Sequence, residues 1–574
     1  MTRIIIEHII PPLQEYFTSQ GRSFMLEHKF FGLVPADKPG HIALACFPLA
    51  KAIGYKPIEL SERIATGRHQ YALSKNDKNC RILSIKNIGP YCNITLDMRK
   101  VAAYLDDQKA IFGKGAPKNH TVLIEGRQPN THKEFHVGHL RNALIPEALC
   151  RIMEYAGYTV HRCCYIGDIG AHIAKWIRYY TTFDNSSIPT TNINERAAAI
   201  YAKAGKKIEE NPELYKPQVH EIHKKLEDGD EKLTKLRIKT RDLCLETFKE
   251  YFRELDCNIG HIYLESDVEK AGIELVKEWE KKGIVRRSQG ALIIDMEDVK
   301  LGIFVVLKSN GASLYATKDL ALAYRKEKDF QFDESIYIVA TEQEHHFNQV
   351  FEGLRRAGYP AHKLRHLSYG MVVLPDGKMS SRKGNTVTYT NLRDMVITVA
   401  HKIITKKNEA NNDDLAKTIA MAAIKFGMLM PDTHKEIVFD PQKAVSFEGE
   451  TGPYILYTVA RLHSVIEKAQ QEFCINPHNL SLTTAPLSAP HLRDLTLSLL
   501  SFPDKIQEAA TQRKPTIIAR RCFDTAQLIN HRYHHEKILT DYQTASHLLP
   551  LVHFARDTLT TGLHLLGIKT VTKM

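Results

Sequence analysis

The fold is decided by residues 121–141, whose sequence is TVLIEGRQPNTHKEFHVGHLR. The apolar run at residues 121–124 predicts a short buried strand. A polar loop then leads to residues 140–149, where apolar side chains recur at helical spacing, and residues 159–166 are a second strand candidate. Strand, loop, helix and strand in this order begin a βαβ unit, which predicts a parallel sheet.

The start of the predicted helix carries His136 and His139, which are three residues apart and therefore project to one side. Gly138 between them has no side chain, so a flat ring or a phosphate can approach the backbone. Lys133 adds a cation just upstream. Free N–H groups and the dipole at a helix N-terminus attract anions and repel cations. This segment therefore indicates a polyphosphate site.

The same segment offers a metal triplet as an alternative, made of His132, His136 and His139. It contains no His-Glu-x-x-His pattern, and acidic residues are absent from the usual ligand offsets. The ten cysteines include no Cys-x2-Cys pair, which excludes a zinc ribbon or a redox dithiol. We therefore expect no protein-bound metal.

Composition limits the class of protein. The chain has 574 residues, 43% of them hydrophobic and 25% charged, as in globular proteins of three or four domains. No apolar run is long enough to span a membrane, and the first residues lack the features of a signal peptide, so we expect a cytoplasmic protein. The net charge of +12 is compatible with a nucleic-acid partner without requiring one.

The pattern changes along the chain. Residues 1–105 mix helical and strand-like segments, and a glycine- and lysine-rich linker follows at 112–118. A charge-rich helical segment at 194–252 reads as an insertion. Further strand-like runs are found at 291–294, 303–307, 335–340 and 369–374. After about residue 413 the pattern is helical almost to the end, with one polar interruption at 476–490.

A second motif, LPDGKMSSRKGN, occupies residues 374–385. HVGH is similar to the HIGH motif of class I aminoacyl-tRNA synthetases, and KMSSR resembles their KMSKS motif. Several further segments resemble arginyl-tRNA synthetases in particular. These are Pro129–Arg141, the YIGDIG of residues 165–170, the LYATKD of residues 314–319, the QEHHF of residues 343–347 and residues 446–461.

The resemblance implies an α/β fold. Its expected parts are a Rossmann-type parallel-sheet catalytic core with a helical insertion, a small α+β N-terminal domain and an all-α C-terminal anticodon-binding domain. The expected bounds are 1–108 for the tRNA-contacting N-terminal domain, 109–395 for the catalytic domain with its insertion at about 178–255, 396–444 for stem helices and 445–574 for the anticodon-binding domain.

The resemblance also implies a reaction, in which ATP, L-arginine and tRNA(Arg) yield arginyl-tRNA, AMP and diphosphate through an arginyl-adenylate. Mg²⁺ is expected with the nucleotide, held mainly by phosphates and water. The residues implied for ATP binding and catalysis are Lys133, His136, Gly138, His139, Lys378, Met379, Ser380, Ser381, Arg382 and Lys383. Those implied for arginine are Glu125, Asn130, Glu265, Tyr315, Asp319 and Gln343.

Two of the arginine residues also fit the chemistry of the substrate. A guanidinium is always charged and offers five donors in a planar fork, so it requires acidic partners. Tyr315 and Asp319 are four residues apart and share one face if their segment is helical. Asp319 is then placed for a two-pronged pair with the guanidinium.

Contacts to tRNA are expected at both ends of the chain. Residues 513–535 mix cations with a stackable ring, as backbone tracking and unstacked anticodon bases require, although a solvated helix face is an alternative. Tyr91 and Asn93 resemble a contact of the family to the tRNA elbow. The residues that we single out for tRNA are Tyr91, Asn93, Arg520, Arg521, Arg532 and Tyr533.

The second motif departs from the family at one position. KMSKS has a lysine in fourth place, where this chain has Ser381. The missing cation would normally meet the phosphates, and Lys133, three residues before His136, is placed to supply it.

Two other functions are weighed against this one. A class I synthetase for cysteine or lysine is disfavoured by the absence of zinc-type cysteines and by the Tyr315/Asp319 pair. A non-catalytic RNA-binding relative is disfavoured by intact His136, His139 and Lys378. The likeness suggests a monomer that binds no membrane.

Overall fold

The computed structural model describes residues 30–34, 38–66, 82–108, 111–184, 193–375, 387–406, 412–476, 480–487, 492–535 and 538–574, with isolated positions at 10, 13, 14, 18, 27, 186 and 489. No helix in these ranges combines the length and the apolarity needed to cross a bilayer.

The described part of the leading region is an antiparallel four-stranded sheet accompanied by three helices. Its strands are β1 (Phe31–Leu33), β2 (Ile42–Ala45), β3 (Ile82–Ile88) and β4 (Tyr91–Leu96), in the order β1-β2-β4-β3. Its helices are α1 (Cys46–Ile53), α2 (Pro57–Thr66) and α3 (Met98–Gln108). The expected small α+β domain is confirmed.

The central region is built on a five-stranded sheet. The strands of the central region are β5 (Thr121–Glu125), β6 (Thr159–Ile166), β7 (His261–Leu264), β8 (Arg286–Ser288), β9 (Ala291–Met296), β10 (Gly302–Leu307), β11 (Glu334–Ala340) and β12 (Leu364–Tyr369). Five of them pair in the order β12-β11-β5-β6-β7, and every pair is parallel. The predicted parallel sheet is therefore confirmed.

Strands β8, β9 and β10 form a separate antiparallel sheet. The apolar runs at 291–294 and 303–307 do become strands, but an apolar run does not identify its pairing partner. A tight connection joins β9 to β10, which allows antiparallel pairing, whereas a parallel pair would need a long crossover.

Helices cover both faces of the central sheet. They are α4 (Val137–Tyr155), α5 (Ala171–Tyr179), which continues as a π-helix at Tyr180–Asp184, α6 (Ile193–Glu210), α7 (Pro212–Glu227), α8 (Glu231–Glu254), α9 (Glu265–Lys281), α10 (Tyr315–Phe330) and α11 (Glu344–Arg356). Helices α6 to α8 make up the predicted helical insertion between β6 and β7.

Alternate residues of the strands enter two separate apolar cores. Val122 and Ile124 of β5 belong to one core, and Leu123 belongs to the other, which α9, α10 and α11 complete. Strand β5 lies in the middle of the sheet, with β6 on one side and β11 on the other. The strand order therefore reverses beside β5, and such a reversal opens a ligand crevice at the carboxyl ends of the strands.

The rest of the described chain is helical apart from two short strands, β13 (Val372–Val373) and β14 (Ile437–Val438), which pair with each other. Its helices are α12 (Tyr389–Lys406), α13 (Asp413–Leu429), α14 (Pro441–Ala444), α15 (Gly452–Phe473), α16 (Arg493–Leu500), α17 (Phe502–Gln512), α18 (Thr516–His535) and α19 (Tyr542–Leu565). This confirms the predicted helical C-terminal part.

Candidate active site

Pro146, which lies inside α4, leaves a backbone carbonyl of that helix free to bond the loop after β5. Proline has no N–H, so the carbonyl four residues earlier, that of Asn142, loses its helical partner. That carbonyl accepts a hydrogen bond from the backbone N–H of Arg127 (3.1 Å), and the side chain of Asn142 accepts one from the N–H of Gln128 (2.8 Å). The first helix of the βαβ unit thus fixes the segment that leads to the histidine motif.

His136 and His139 cap the N-terminus of α4 reciprocally. The Nδ1 atom of His136 accepts hydrogen bonds from the N–H groups of Gly138 (3.1 Å) and His139 (3.4 Å). The Nδ1 atom of His139 accepts one from the N–H of His136 (3.3 Å). With both Nδ1 atoms acting as acceptors, each neutral ring carries its proton on Nε2. Nε2–H of His136 can donate to a ligand, whereas His139 also forms a hydrogen bond with the backbone of Glu134.

The two imidazoles are stacked, with 3.8 Å between ring centroids and 18° between planes. Burial, together with nearby Lys133, lowers the pKa of His136 to about 4. Burial and the neighbouring His136 and Lys133 lower the pKa of His139 well below its ordinary value. At neutral pH the pair is therefore uncharged and acts through N–H donation.

Gly138 is needed for this geometry. A Cβ at Gly138 would lie 2.9 Å from Cε1 and 3.0 Å from Nδ1 of His136. The sequence suggested that this glycine makes room for a ligand. In the described structure, a side chain at position 138 would first contact the imidazole of His136.

Lys133 is partly buried beside the histidines. Among the described residues, no carboxylate lies within ion-pair distance of its Nζ, which is 5.7 Å from the ring centroid of Tyr201. Burial lowers the pKa of Lys133, and Glu265 works in the opposite direction. The N-terminus of α4 therefore has one cation whose charge no neighbouring carboxylate neutralises by direct contact.

His132 does not join the other two histidines. It is fully buried, its Nε2 lies 2.7 Å from Oγ1 of Thr240 on α8, and its ring packs edge-on against Trp176. Within the described ranges, no group of three or more His, Cys, Asp or Glu residues is arranged to hold a metal ion. The side chain of His132 thus ties the motif to the helical insertion.

Three of the residues expected to bind arginine, Tyr315, Asp319 and Glu265, meet at the N-terminus of α10. Tyr315 is the first residue of that helix and is 61% exposed. Asp319, one turn further on, has its Oδ2 2.6 Å from Nε2 of His346. Glu265 accepts a hydrogen bond from Nζ of Lys318 (2.6 Å). Burial raises the pKa of Glu265 even though Lys318 lowers it.

Asn130 lies close to Glu265. Asn130 forms a bridge with Gly167 at the end of β6, and a Cβ on Gly167 would clash with Oδ1 of Asn130 and lie 3.3 Å from Oε1 of Glu265. Only a glycine at position 167 leaves space for these two polar groups to face each other.

Glu125 and Gln343 follow the two strands that flank the crevice. Glu125 ends β5 and is fully buried, where it forms an ion pair with Lys326 of α10 and accepts a hydrogen bond from Gln128 (2.5 Å). Gln343 follows β11 and is exposed, and its side chain makes no capping bond to α11. Glu125 therefore already has partners, whereas Gln343 faces solvent.

Residues 378–383, which hold the KMSSR motif, lie outside the described residues. The chain that resumes after them is joined to the histidine motif. The carbonyl of Val387 accepts a hydrogen bond from the N–H of Val137 (3.1 Å), and the N–H of Tyr389 donates to the carbonyl of Phe135 (2.9 Å). The described chain that follows the second motif is thus attached beside the first motif.

The structure brings to this site several residues to which the sequence pattern did not point. Asp168 is fully buried and accepts hydrogen bonds from Arg237 (2.9 Å) and from the N–H (2.9 Å) and hydroxyl (2.8 Å) of Ser266. Its position directly after β6, inside YIGDIG, is the signal that could have singled it out. Lys318 and His346 lie inside the LYATKD and QEHHF segments, but only the fold reveals the carboxylates that they contact.

Tyr91 and Asn93 lie on β4 and differ in accessibility. Tyr91 is 41% exposed and packs edge-on against Phe47. Asn93 is only 4% exposed and donates a hydrogen bond to the carbonyl of Pro39 (2.7 Å). The structure therefore leaves Tyr91 open to a partner and commits the side chain of Asn93 to the fold.

The four residues singled out on α18 also differ. Arg520 forms an ion pair with Glu450, and Arg521 is partly buried and donates to Ser498 (3.1 Å). Arg532 is partly buried, whereas Tyr533 is 38% exposed.

Tyr533 belongs to a pocket that the sequence did not indicate. The guanidinium of Arg461 on α15 lies 4.5 Å from the ring centroid of Tyr533 and 4.6 Å from that of Tyr457. These three side chains line a cavity of about 510 Å³ that also reaches the terminal residue, Met574. The pocket combines a cation with aromatic rings, as the binding of unstacked bases requires.

Comparisons with known proteins agree with this geometry. A family model described as "tRNA synthetases class I (R), catalytic domain" matches residues 100–440, and one described as "DALR anticodon binding domain" matches residues 455–574. An arginine–tRNA ligase of Bdellovibrio bacteriovorus is 32% identical over 94% of this chain and 93% of its own. One of Halothermothrix orenii is 31% identical over 96% of each chain. The structure of Thermus thermophilus arginyl-tRNA synthetase matches with a TM-score of 0.81 and 26% identity, over 99% of this chain and 100% of that one.

Proposed function

This chain belongs to the class I arginyl-tRNA synthetases, and from that membership we propose how its own residues divide the work of the reaction. The reaction is the ATP-dependent attachment of L-arginine to its cognate tRNA in protein synthesis. It proceeds through an arginyl-adenylate, whose formation brings a carboxylate against the α-phosphate of ATP. Two anions must approach each other, so catalysis consists mainly of positioning and of stabilising phosphate charge.

His136 and His139 stabilise that charge as neutral donors. Their Nδ1 atoms are occupied by backbone N–H groups, which leaves Nε2–H of His136 for a phosphate or bridging oxygen. His139, which also bonds the backbone of Glu134, exchanges that bond for one to the phosphate when ATP binds. Stacking and the reciprocal cap hold both rings before ATP arrives, so little reorganisation accompanies the reaction. Gly138 serves the same end by leaving space for the ring of His136.

Lys133 supplies the cation that the second motif lacks at Ser381. Support for this role comes from its place beside the histidines and from the absence of a carboxylate partner within the described residues. Lys378, Met379, Ser380, Arg382 and Lys383 then close over the β- and γ-phosphates. ATP brings its own Mg²⁺, held mainly by phosphate oxygens and water.

Arginine binds between the N-terminus of α10 and the carboxyl ends of β6 and β7. Asp319 and Glu265 take the guanidinium, with Tyr315 beside them. His346 and Lys318 fix the two carboxylates in place through the contacts already described. Asn130 and Gln343 take the amino and carboxylate ends of the substrate, and Glu125, held by Lys326, supports this end of the crevice.

A tRNA spans the molecule from the leading sheet to the C-terminal helices. Tyr91 is the exposed ring on β4, and Tyr533 with Arg461 and Tyr457 lines the pocket on the helical part. Arg520, Arg521 and Arg532 follow the backbone along α18. We assign the tRNA-contacting domain to residues 1–108, the catalytic domain to 109–395, the stem to 396–444 and the anticodon-binding domain to 445–574. The enzyme acts as a monomer in the cytoplasm.

The observation that supports the arginine site is a pair of carboxylates at the start of α10, the buried Glu265 and the partly buried Asp319. Asp319→Asn removes the negative charge and keeps the shape, so we expect the KM for arginine to rise at least tenfold, since a hydrogen bond to a charged group contributes about 1.5–3 kcal/mol. The KM for ATP should stay constant. Steady-state aminoacylation measures both values, and an unchanged KM for arginine removes Asp319 from the site. Asp329→Asn on the same helix is the matched control, because Asp329 contacts Tyr263 and Arg325 rather than the crevice.

A further inference from the structure

The hydroxyl of Tyr165 is buried without a hydrogen-bond partner among the described residues. Buried hydroxyls are normally paired, because an unpaired one loses its bonds to water without replacement. Tyr165 is the second-last residue of β6, the strand whose carboxyl end reaches the arginine crevice. An unsatisfied hydroxyl at this place requires an explanation.

The neighbours of Tyr165 show on which face of the sheet its side chain lies. Tyr165 pairs in register with Tyr263 of β7, and in-register residues of parallel strands project to the same side. Tyr263 belongs to the apolar core beneath α9 and α10, and Tyr165 packs against that core. The ring of Tyr165 therefore lies on the side covered by α10, the helix that begins with Tyr315 and carries Asp319.

Acidic groups surround this hydroxyl. Burial raises the pKa of Tyr165 well above its ordinary value, and the charges of Asp319, Glu265, Asp168 and Glu269 raise it further. Each of these carboxylates has another partner: His346 for Asp319, Lys318 for Glu265, Ser266 for Asp168 and Ser313 for Glu269. The hydroxyl thus stays protonated in negatively charged surroundings and keeps a free oxygen lone pair.

A planar cation with several N–H donors satisfies these conditions. The guanidinium has five donors in a fixed planar fork, so it can bond the two carboxylates and still present an N–H to a further acceptor. The hydroxyl oxygen of Tyr165 provides one more acceptor in the same acidic surroundings. A primary ammonium gains less, because Lys318 already places one against Glu265.

We propose that Tyr165 is a specificity-determining residue that accepts a hydrogen bond from the guanidinium of arginine. This assignment rests on the proposed arginine site at Asp319 and Glu265. It adds a neutral acceptor, contributed by the sheet, to the acidic residues contributed by the helices.

The test compares Tyr165→Phe with Tyr263→Phe. Both remove one hydroxyl from register partners on the same face, but only that of Tyr263 has a protein partner, Asp329, at 2.9 Å. Removing an unpaired buried hydroxyl should leave the Tm unchanged or raise it, whereas removing a paired one should lower the Tm. For the arginine site the expectation is reversed: Tyr165→Phe raises the KM for arginine about tenfold to hundredfold, and Tyr263→Phe leaves it unchanged.

Arginine binding is also measured without turnover, from the rise in Tm as arginine is added to the full-length enzyme. We expect Tyr165→Phe to need at least tenfold more arginine for the same rise, with the KM for ATP unchanged and kcat within about threefold. A wild-type KM and a wild-type arginine titration for Tyr165→Phe overturn the proposal. If instead the unaltered enzyme fails to charge arginine, the proposed function fails, and this outcome is distinct from that of the variant.

Discussion

Lys133 is the residue that we propose as the cation for the phosphates of ATP beside the histidine pair. The two imidazoles beside it are neutral, and the fourth position of the KMSSR motif is a serine, so the positive charge that acts on the histidine pair comes from Lys133. Arg141, one turn further along α4, is buried and donates to the carbonyls of Lys435 (2.8 Å) and Asp432 (3.3 Å). The guanidinium of Arg141 is therefore already bonded to backbone carbonyls within the protein.

We predict that Lys133→Ala slows ATP–pyrophosphate exchange, measured with tRNA present, by about 100-fold, as loss of one transition-state donor commonly does. Binding of tRNA, measured by filter retention, should change far less, because Lys133 lies at the nucleotide. Lys203→Ala, an exposed lysine on α6, is the control and should exchange at the wild-type rate. Unaltered exchange by Lys133→Ala disproves the idea that this lysine compensates for Ser381.

At the residue scale, the sequence indicates the groups that we propose to contact substrate better than it indicates the groups that hold them in place. His136, His139 and Asp319 stand in short motifs that the sequence displays. Their supports do not, because pairing arises across long separations: Lys326 reaches Glu125 over 201 residues and Lys318 reaches Glu265 over 53. Only the strand order and the placement of α10 bring these ion pairs together.

Among the elements, α4 contributes most to the site, through its first turn. A glycine in a helix is ordinarily less favourable than alanine by up to about 1 kcal/mol. Gly138 lies in α4 in spite of this lower helix propensity, and its missing Cβ leaves space for the imidazole of His136. Stability and catalysis therefore make opposite demands on this position.

For Gly138→Ala we expect a Tm that is unchanged or slightly higher and an adenylation rate at least tenfold lower, since the added Cβ displaces the ring of His136 from its capping bonds. Pyrophosphate exchange and differential scanning fluorimetry measure the two effects on one preparation. Gly32→Ala, at an exposed position of β1 where no atom lies within 4 Å of an added Cβ, is the control. An adenylation rate equal to that of the wild type contradicts the role given to Gly138.

Element boundaries follow the local pattern closely where that pattern is strong. The apolar run at 159–166 is β6 over the same residues, and the helical spacing at 140–149 lies within α4. The pairing of a strand is harder to predict from the sequence than its boundaries. Nothing in the apolar run at 291–294 distinguishes an antiparallel neighbour from a parallel one, and β9 belongs to a separate sheet. The run expected at 369–374 is split between the end of β12 and the two residues of β13.

On the scale of the whole molecule, the start of α18 connects the helical part to the catalytic core. Arg513 forms an ion pair with Glu334 at the start of β11, and Lys514 contacts Asp432 (3.2 Å). The hydroxyl of Thr516 donates to the carbonyl of Pro431 (3.0 Å). The same helix continues to Tyr533, so one rigid element extends from the core to the proposed base-binding pocket.

The distribution of charge along the chain bears on how the whole molecule recognises tRNA. Residues 411–574 carry 17 Lys and Arg against 16 Asp and Glu, so the net charge of +12 resides almost entirely in the first 410 residues. A nearly neutral helical part has little general attraction for phosphates, and its recognition of tRNA should depend on stacking and on a few placed cations.

We therefore predict that Tyr533→Ala raises the KM for tRNA about tenfold, the loss expected for one stacked base, while the KM values for arginine and ATP stay constant. Steady-state aminoacylation with a tRNA(Arg) transcript gives all three constants. Tyr542→Ala, at a still more exposed tyrosine at the start of α19, is the control. If both variants bind tRNA like the wild type, the pocket around Arg461 does not bind a base.

The central claim is that the Asp319 and Glu265 crevice beside the histidine pair selects arginine for attachment to tRNA. Charging of total tRNA with each of the twenty amino acids in turn tests it most directly. We predict that the enzyme charges arginine alone and that, at an arginine concentration below the wild-type KM, Asp319→Asn reduces this charging at least tenfold. Efficient charging of any other amino acid, or arginine charging that is indifferent to Asp319, would contradict the claim.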